Sequence, residues 1–157
     1  ITDLDATPVV KVNTVRQNGR IRSSIGYAPV ASGDSIASVY RFVRVPSRAR
    51  MDAVLLDSTA ITTCAGDIGL YRTAADGGAV VSAALFASAV SLAAAVARQD
   101  NTYESGVVTI PNRHKRLWEQ LGLTTDPRVD YDVAITLTAA AGSAGDLAVR
   151  AQFIADE

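Results

Sequence analysis

The sequence predicts an all-β, mainly antiparallel protein, a β-sandwich of jelly-roll type carrying one or two short helices. Three observations predict it. Runs rich in Val, Ile and aromatic residues recur at spacings of about ten residues, each bounded by Gly, Pro, Asn or Asp. Val and Ile, stiff at χ1, outnumber the other large apolar side chains that suit a helix, and they fit a pleated, half-buried surface. Near the end of the chain, apolar and polar residues alternate with the two-residue period of a strand.

The elements follow in order. Ile1 to Pro8 is polar, has no period, and reads as an N-terminal arm on one domain spanning residues 1–157. A chain of this length buries about 70% of the surface its unfolded form exposes, so it needs neither metal nor disulfide to hold a core. Val9, Val10, Val12 and Val15 suggest a first strand. Asn18-Gly19 then signals a tight hairpin turn, across which Arg20 to Ala28 can pair back. Pro29 to Asp34 is a loop. Ile36 to Val45 is the longest β-branched and aromatic run, and Pro46 stops it. It carries bulk on both faces, Ile36, Tyr40 and Phe42 against Val39, Val43 and Val45, as a strand covered on both sides for part of its length would.

Met51 to Asp57 reads as a strand, as does Asp67 to Arg72 with Ile68 and Leu70 on one face. The turn Asp76-Gly77-Gly78 leads to Val80 and Val81. The following segment fits two periods. Val81, Leu85, Ala89, Leu92 and Val96 make a helical stripe, whereas Val90, Leu92, Ala94 and Val96 alternate. Its alanines favour a helical turn over Ser82 to Ser88, followed by a strand. Asn101 to Glu104 is a loop and Val107 to Ile110 a short strand. Pro111 to Leu121 is the best helix, with Pro in the first turn, Leu117, Trp118 and Leu121 on one face, and Gly122 as C-terminal cap. Such a short helix stands only by packing that face on something. Tyr131, Val133, Ile135 and Leu137 then face one way, and Asp130, Asp132, Thr136 and Thr138 the other. Ala139 to Gly145 is a flexible turn, after which Leu147, Val149, Ala151 and Phe153 face in, with Arg150 and Gln152 out. This predicts a closing antiparallel hairpin.

Composition excludes some functions. The 15 basic and 16 acidic residues leave a net charge of -1, which gives no long-range attraction to nucleic acid or to an anionic membrane. The stretch Arg41, Arg44, Arg48, Arg50 has only Tyr40 and Phe42 as aromatic companions, and reads as the exposed side of a strand running into a loop. No apolar run is long enough to span a bilayer, and no signal peptide is visible. Ala83 to Ala97, the most apolar stretch, is interrupted by Ser88 and Ser91. Neither nucleic acid nor a membrane is expected as a partner.

No catalytic, cofactor or metal site is expected. Cys64, the single cysteine, cannot form an intrachain disulfide and reads as a buried, inert thiol suited to a reducing compartment. His114, the single histidine, lies among Arg113, Lys115 and Arg116, without a neighbouring carboxylate to orient it, and one helical turn before Trp118, on which it could stack. Asp3/Asp5 and Asp130/Asp132 are Asp-x-Asp pairs without the further oxygen ligands of a calcium site, and read as solvated strand or arm residues. Arginine is enriched at protein interfaces because it forms bidentate pairs and stacks on rings. The expected contact residues are therefore Arg16, Arg20, Arg22, Arg44, Arg48 and Arg50, together with Ile1, Leu4, Val9, Val10 and Val12 of the N-terminal stretch, with Ile1 to Val12 expected to lie along another subunit.

Several segments bear a family likeness. Gly33-Asp34-Ser35-Ile36, Tyr40-Arg41-Phe42 with Val45-Pro46-Ser47, and Ala65-Gly66-Asp67-Ile68-Gly69-Leu70-Tyr71 resemble small proteins found with head genes of tailed bacteriophages. So do Leu117-Trp118-Glu119, Gly122-Leu123, and Asp126-Pro127-Arg128-Val129-Asp130-Tyr131-Asp132. The likeness covers about Gly33 to Ala139, and the group it resembles includes capsid cement (decoration) proteins. The resemblance implies a virion structural protein without catalytic residues, docked on the capsid exterior. Its implied partners are the major capsid protein and copies of itself as a homo-oligomer at capsid symmetry positions, and its implied location is the host cytoplasm during assembly. Other classes stay open: a tail or head-completion component, a carbohydrate-binding sandwich, which would want an exposed aromatic platform, and a small hydrolase, which would have to use His114.

Overall fold

Alternation along each strand decides which side chains meet the core. The structure, a computed structural model describing residues 20–155, shows this in eight strands. They are β1 (Arg20–Val30), β2 (Val39–Pro46), β3 (Arg50–Ser58), β4 (Ala65–Arg72), β5 (Val80–Ser91), β6 (Val96–Asp100), β7 (Asp130–Ala139) and β8 (Gly145–Ala155). One sheet has the order β1-β8-β3-β6, the other β2-β7-β4-β5. The pairs β1 with β8, β2 with β7, β3 with β6 and β4 with β5 are all antiparallel. The chain is thus one long ribbon doubled back between β4 and β5. The ribbon rolls up so that β8 also pairs with β3 and β7 with β4. This is the eight-stranded, double-sheet jelly roll, and the predicted fold class holds.

The core lies between the sheets. Val54 and Leu56 of β3 and Leu147, Val149 and Ala151 of β8 face Val43 and Val45 of β2, Ile68 and Leu70 of β4, and Val133, Ile135 and Leu137 of β7, all buried. Complete burial of a Leu or Ile side chain contributes about 2 kcal/mol each, and this face-to-face closure is what holds the two sheets together.

The predicted closing hairpin does not form. β7 and β8 lie in different sheets, and 140–144 crosses between them. Both strands bury their odd-numbered residues because they face each other across the core. Alternation reports a buried face without saying whether the partner is beside the strand or opposite it. The hairpin expected across Asn18-Gly19 and the arm Ile1 to Pro8 lie outside the described residues; Arg20 to Val30 itself pairs with β8.

Four further expectations are corrected. Ser82 to Ser88 is strand throughout, not a helical turn. The register of β5 against β4 shifts three times, and its backbone at Ser82-Ala83 lies directly on β4. A Cβ on Gly69 would sit 2.0 Å from the Ser82 carbonyl oxygen and 2.3 Å from that of Ala83. Small residues are needed there for close approach, and Leu85, Phe86 and Ala87 are buried in succession past the bulge. Val107 to Ile110 is not a strand; it belongs to the connection 101–129, from which Val108 plugs the core while Val107 and Ile110 are exposed.

The helix expected over Pro111 to Leu121 is reduced to a 3-10 turn, Ile110–Asn112, and one α-helical turn, α1 (Leu117–Gln120). Arg116 is extended between them, and Glu119 accepts its backbone N–H at 2.9 Å. The backbone N–H groups of Leu117 and Trp118 donate to the carbonyls of Ala49 and Ser47. The first turn is therefore spent on pinning the connection to the β2–β3 turn. Leu117 is buried as expected, and Gly122, at φ 76°, ends the turn. β2 begins at Val39, later than expected, because Ala37 (φ 72°) turns the chain and leaves Ile36 exposed.

Candidate docking surface

Strand polarity sorts the loops. The starts of β1 and β3 lie at the same end, since Ile21 and Arg50 both register with Ile154 of β8. The turn 47–49 and the connection 101–129 share that end. The loops 31–38, 59–64, 92–95 and 140–144 gather at the other, where Gly33 N–H donates to Ala141 O, Ile61 N–H to Leu92 O and Gly142 N–H to Thr62 O.

The two ends differ in chemistry. The four loops of the second end hold one charged residue, Asp34, and are otherwise mostly Ala, Ser, Thr and Gly. The first end carries Arg20, Arg22, Arg48 and Arg50, all exposed, so the structure brings together four of the arginines expected to make contacts. Beside them, a recess of about 420 Å³ is lined by Ser47, Arg48, Asp126, Arg128 and Asp130 among others. In it, Asp126 accepts from the Ser47 hydroxyl at 2.5 Å and from the Arg128 N–H at 2.9 Å. Those bonds hold its carboxyl below the usual carboxylate range, the Ser47 contact contributing most.

Arg44 is placed differently. It lies on the outward face of β2, with Nε 2.9 Å from Asp132, and that hydrogen bond raises its pKa. Arg41 reaches the same carboxylate at 3.1 Å and donates to the carbonyls of Arg72 and Gly78. Asp132 is thus buried under two arginines, where a solvated strand face was expected. Sequence reasoning missed this clamp. Its one visible signal is Ala134, a small residue on the nominally polar face of β7, fully buried here next to Gly69 of β4. Ile1, Leu4, Val9, Val10, Val12, Arg16 and the Asp3/Asp5 pair lie outside the described residues.

At the opposite end, Asp34 accepts from the Tyr40 hydroxyl and from the Ala31 N–H at 2.9 Å. Its carboxyl is held low, chiefly by Tyr40. Burial, then the Asp34 contact, push the Tyr40 hydroxyl up to about 12. Cys64 is buried and its thiol pushed up by desolvation, the state of an unreactive thiol. His114 is exposed and precedes α1, so the one-turn spacing to Trp118 is lost. Among the described residues, no group of three or more His, Cys, Asp or Glu could hold a metal ion, and no helix is long and apolar enough to cross a membrane.

No family model matches the chain, and no curated protein matches it. Among solved structures, it is similar to a chain of the cyanophage Pam1 capsid asymmetric unit, with a TM-score of 0.52 and 16% identity. The match spans 88% of this chain and 86% of that one. At that identity the likeness is one of fold, and it extends over nearly the whole of both chains.

Proposed function

We propose that this chain is a structural protein of a bacteriophage virion, and that it works as a cement protein on the outside of the shell. The observation that carries the reading is the whole-length likeness to a chain of a capsid asymmetric unit. The chemistry agrees in kind. The apolar residues close two sheets over each other, and the buried Asp132 is held by Arg41 and Arg44, which fix the fold.

On this reading the Arg20, Arg22, Arg48 and Arg50 end meets acidic groups of the major capsid protein, and Ile1 to Val12 lies along a neighbouring subunit. Contacts repeated at each lattice site stabilise the shell by mass action, because the protein binds the assembled form and not the loose one. Copies joined as an oligomer at a symmetry position add avidity. The protein accumulates in the host cytoplasm before it docks.

The test uses particles made by the encoding genome with this reading frame deleted. Purified protein added back is expected to co-sediment with them until the lattice sites saturate, and to raise their resistance to heat. Protein that stays in the supernatant at every concentration rejects the reading. Saturation at about a dozen copies or fewer points to a vertex, tail or head-completion position and rejects the cement assignment.

A further inference from the structure

A second recess lies away from the arginine end. It holds about 260 Å³ and is lined by Tyr27, Asp57, Thr59, Val96, Asp146 and Ala148 among others. Register places it on the outer face of the β1-β8-β3-β6 sheet. Tyr27 of β1 and Asp57 of β3 both stand opposite Ala148 of β8. The chain neighbours of Ala148, Leu147 and Val149, are buried in the core, so Ala148 points outward. The three residues form one row across three strands, with the smallest in the middle. Adjacent strands lie about 4.8 Å apart, so Tyr27 and Asp57 bound a trough about 10 Å wide with Ala148 as its floor.

The walls of the trough are held in place. Tyr27 is 65% exposed, yet its hydroxyl donates to Asp146 Oδ1 at 2.7 Å, which restrains the ring. Asp57 Oδ1 accepts the Arg98 N–H at 2.8 Å, and the Asp146 N–H donates to the Thr59 hydroxyl at 2.8 Å. Each carboxylate is thus aimed through Oδ1 and keeps Oδ2 for a ligand. Val96 and Ala148 add apolar surface between them. This combination suits a molecule with an apolar face and a rim of hydroxyl donors. The C–H face of a pyranose ring packs on the negative face of an aromatic ring, and its hydroxyls donate to carboxylate oxygens. The volume lies below the range of about 300–1,000 Å³ usual for drug-sized ligands, which fits a single sugar unit. A guanidinium fits less well, because it takes both oxygens of one carboxylate, and Oδ1 of each aspartate is already engaged.

We infer that this trough binds one pyranose unit of a glycan, with Tyr27 as the stacking platform and Asp57 and Asp146 as acceptors for its hydroxyls. The inference does not depend on the virion role. Its test is a nuclear magnetic resonance titration of the full-length chain with the methyl pyranosides of glucose, galactose, mannose, N-acetylglucosamine and rhamnose. At least one is expected to shift the Tyr27 ring and Ala148 methyl signals saturably, with a Kd of about 1 mM. Tyr27→Ala, which removes the platform, and Ala148→Leu, which fills the floor, are each expected to weaken that binding about tenfold or more. Both positions face outward, so the melting temperature is expected to stay unchanged. No saturable shift with any of these sugars overturns the inference. So does sugar binding that persists undiminished in both variants, which would place the site elsewhere. N-acetylarginine methylamide is titrated alongside; saturation by it and not by the sugars would assign the trough to a cationic side chain and overturn the inference as well.

Discussion

Arg41 of β2 contacts Asp132 of β7 at 3.1 Å while donating to the carbonyls of Arg72 and Gly78 at 2.6 and 2.7 Å. One guanidinium thus ties the outward face of the sheet to the turn between β4 and β5, the point where the ribbon doubles back. Its planar fork suits several acceptors at once, which a lysine cannot match. Arg41→Ala leaves the buried Asp132 with only the exposed Arg44. We expect a loss of about 3 kcal/mol in urea unfolding, with Arg41→Lys recovering only part of it. Arg44→Ala, on the more exposed partner, is expected to have the smaller effect.

Gly69 and Gly77 separate close approach from backbone conformation. An alanine Cβ at Gly69 would meet two carbonyl oxygens of β5, backbone atoms that cannot swing aside. Gly69→Ala is expected to cost about 3 kcal/mol or to prevent folding. Gly77 has φ 81° and open space around it, so Gly77→Ala costs about 1 kcal/mol. Equal losses in thermal unfolding would show that β5 does not lie on β4 at this point.

The Asp34–Tyr40 pair sets two pH limits on the loop end. The Asp34 carboxyl is lowered, so its contribution is present above the ordinary carboxylate range and is lost as pH falls through the folded value. The Tyr40 hydroxyl is raised to about 12, so its contribution is present below the ordinary tyrosine value and is lost as pH climbs toward 12. Tyr40→Phe is expected to flatten the acid limb of stability against pH and to remove one late-titrating phenol from the ultraviolet absorbance titration. Retention of that phenol in the variant would refute the assignment.

Cys64 should report unfolding. It is buried and its thiol is shifted up by desolvation, so little thiolate forms and reagents reach it only through opening of the fold. Labelling by a disulfide reagent at neutral pH is expected to be slow in the native protein and complete within the mixing time in urea. Fast native labelling would contradict its placement.

Charge reversal at the arginine end separates docking from folding. Arg48 and Arg50 are exposed, so Arg48→Glu with Arg50→Glu should leave the melting temperature unchanged within error. Affinity for particles lacking the protein is expected to fall about tenfold or more, equivalent to about 1.4 kcal/mol, and wild-type binding should weaken with salt. Unchanged affinity would move the contact to another face.

The strands were legible wherever one face is buried and the other wet. Leu147 to Phe153 alternates for that reason, and Tyr131 to Leu137 alternates in its apolar residues although Asp132 and Ala134 on its other face are buried as well. Their assignment to separate sheets was not legible, since a buried face looks the same whether its partner lies alongside or across the core. β5 misled because small residues serve close approach over Gly69 as well as helix propensity. The segment 111–121 carries good helical signals, yet the backbone bonds from Leu117 and Trp118 to the β2–β3 turn override local preference. Arg20, Arg22, Arg48 and Arg50 were singled out by residue type, and their sharing one end of the sandwich was not legible because it depends on β1 and β3 both registering with β8. The Arg41–Asp132 clamp was not legible either, because it joins residues 91 positions apart.

The central claim, that this jelly roll exists to dock on a shell, is tested most directly by a density map of intact particles from the encoding genome, read together with their protein composition. The account predicts this chain at repeated lattice positions on the outer surface, its arginine end against the major capsid protein. Purified particles that lack the chain altogether would contradict it.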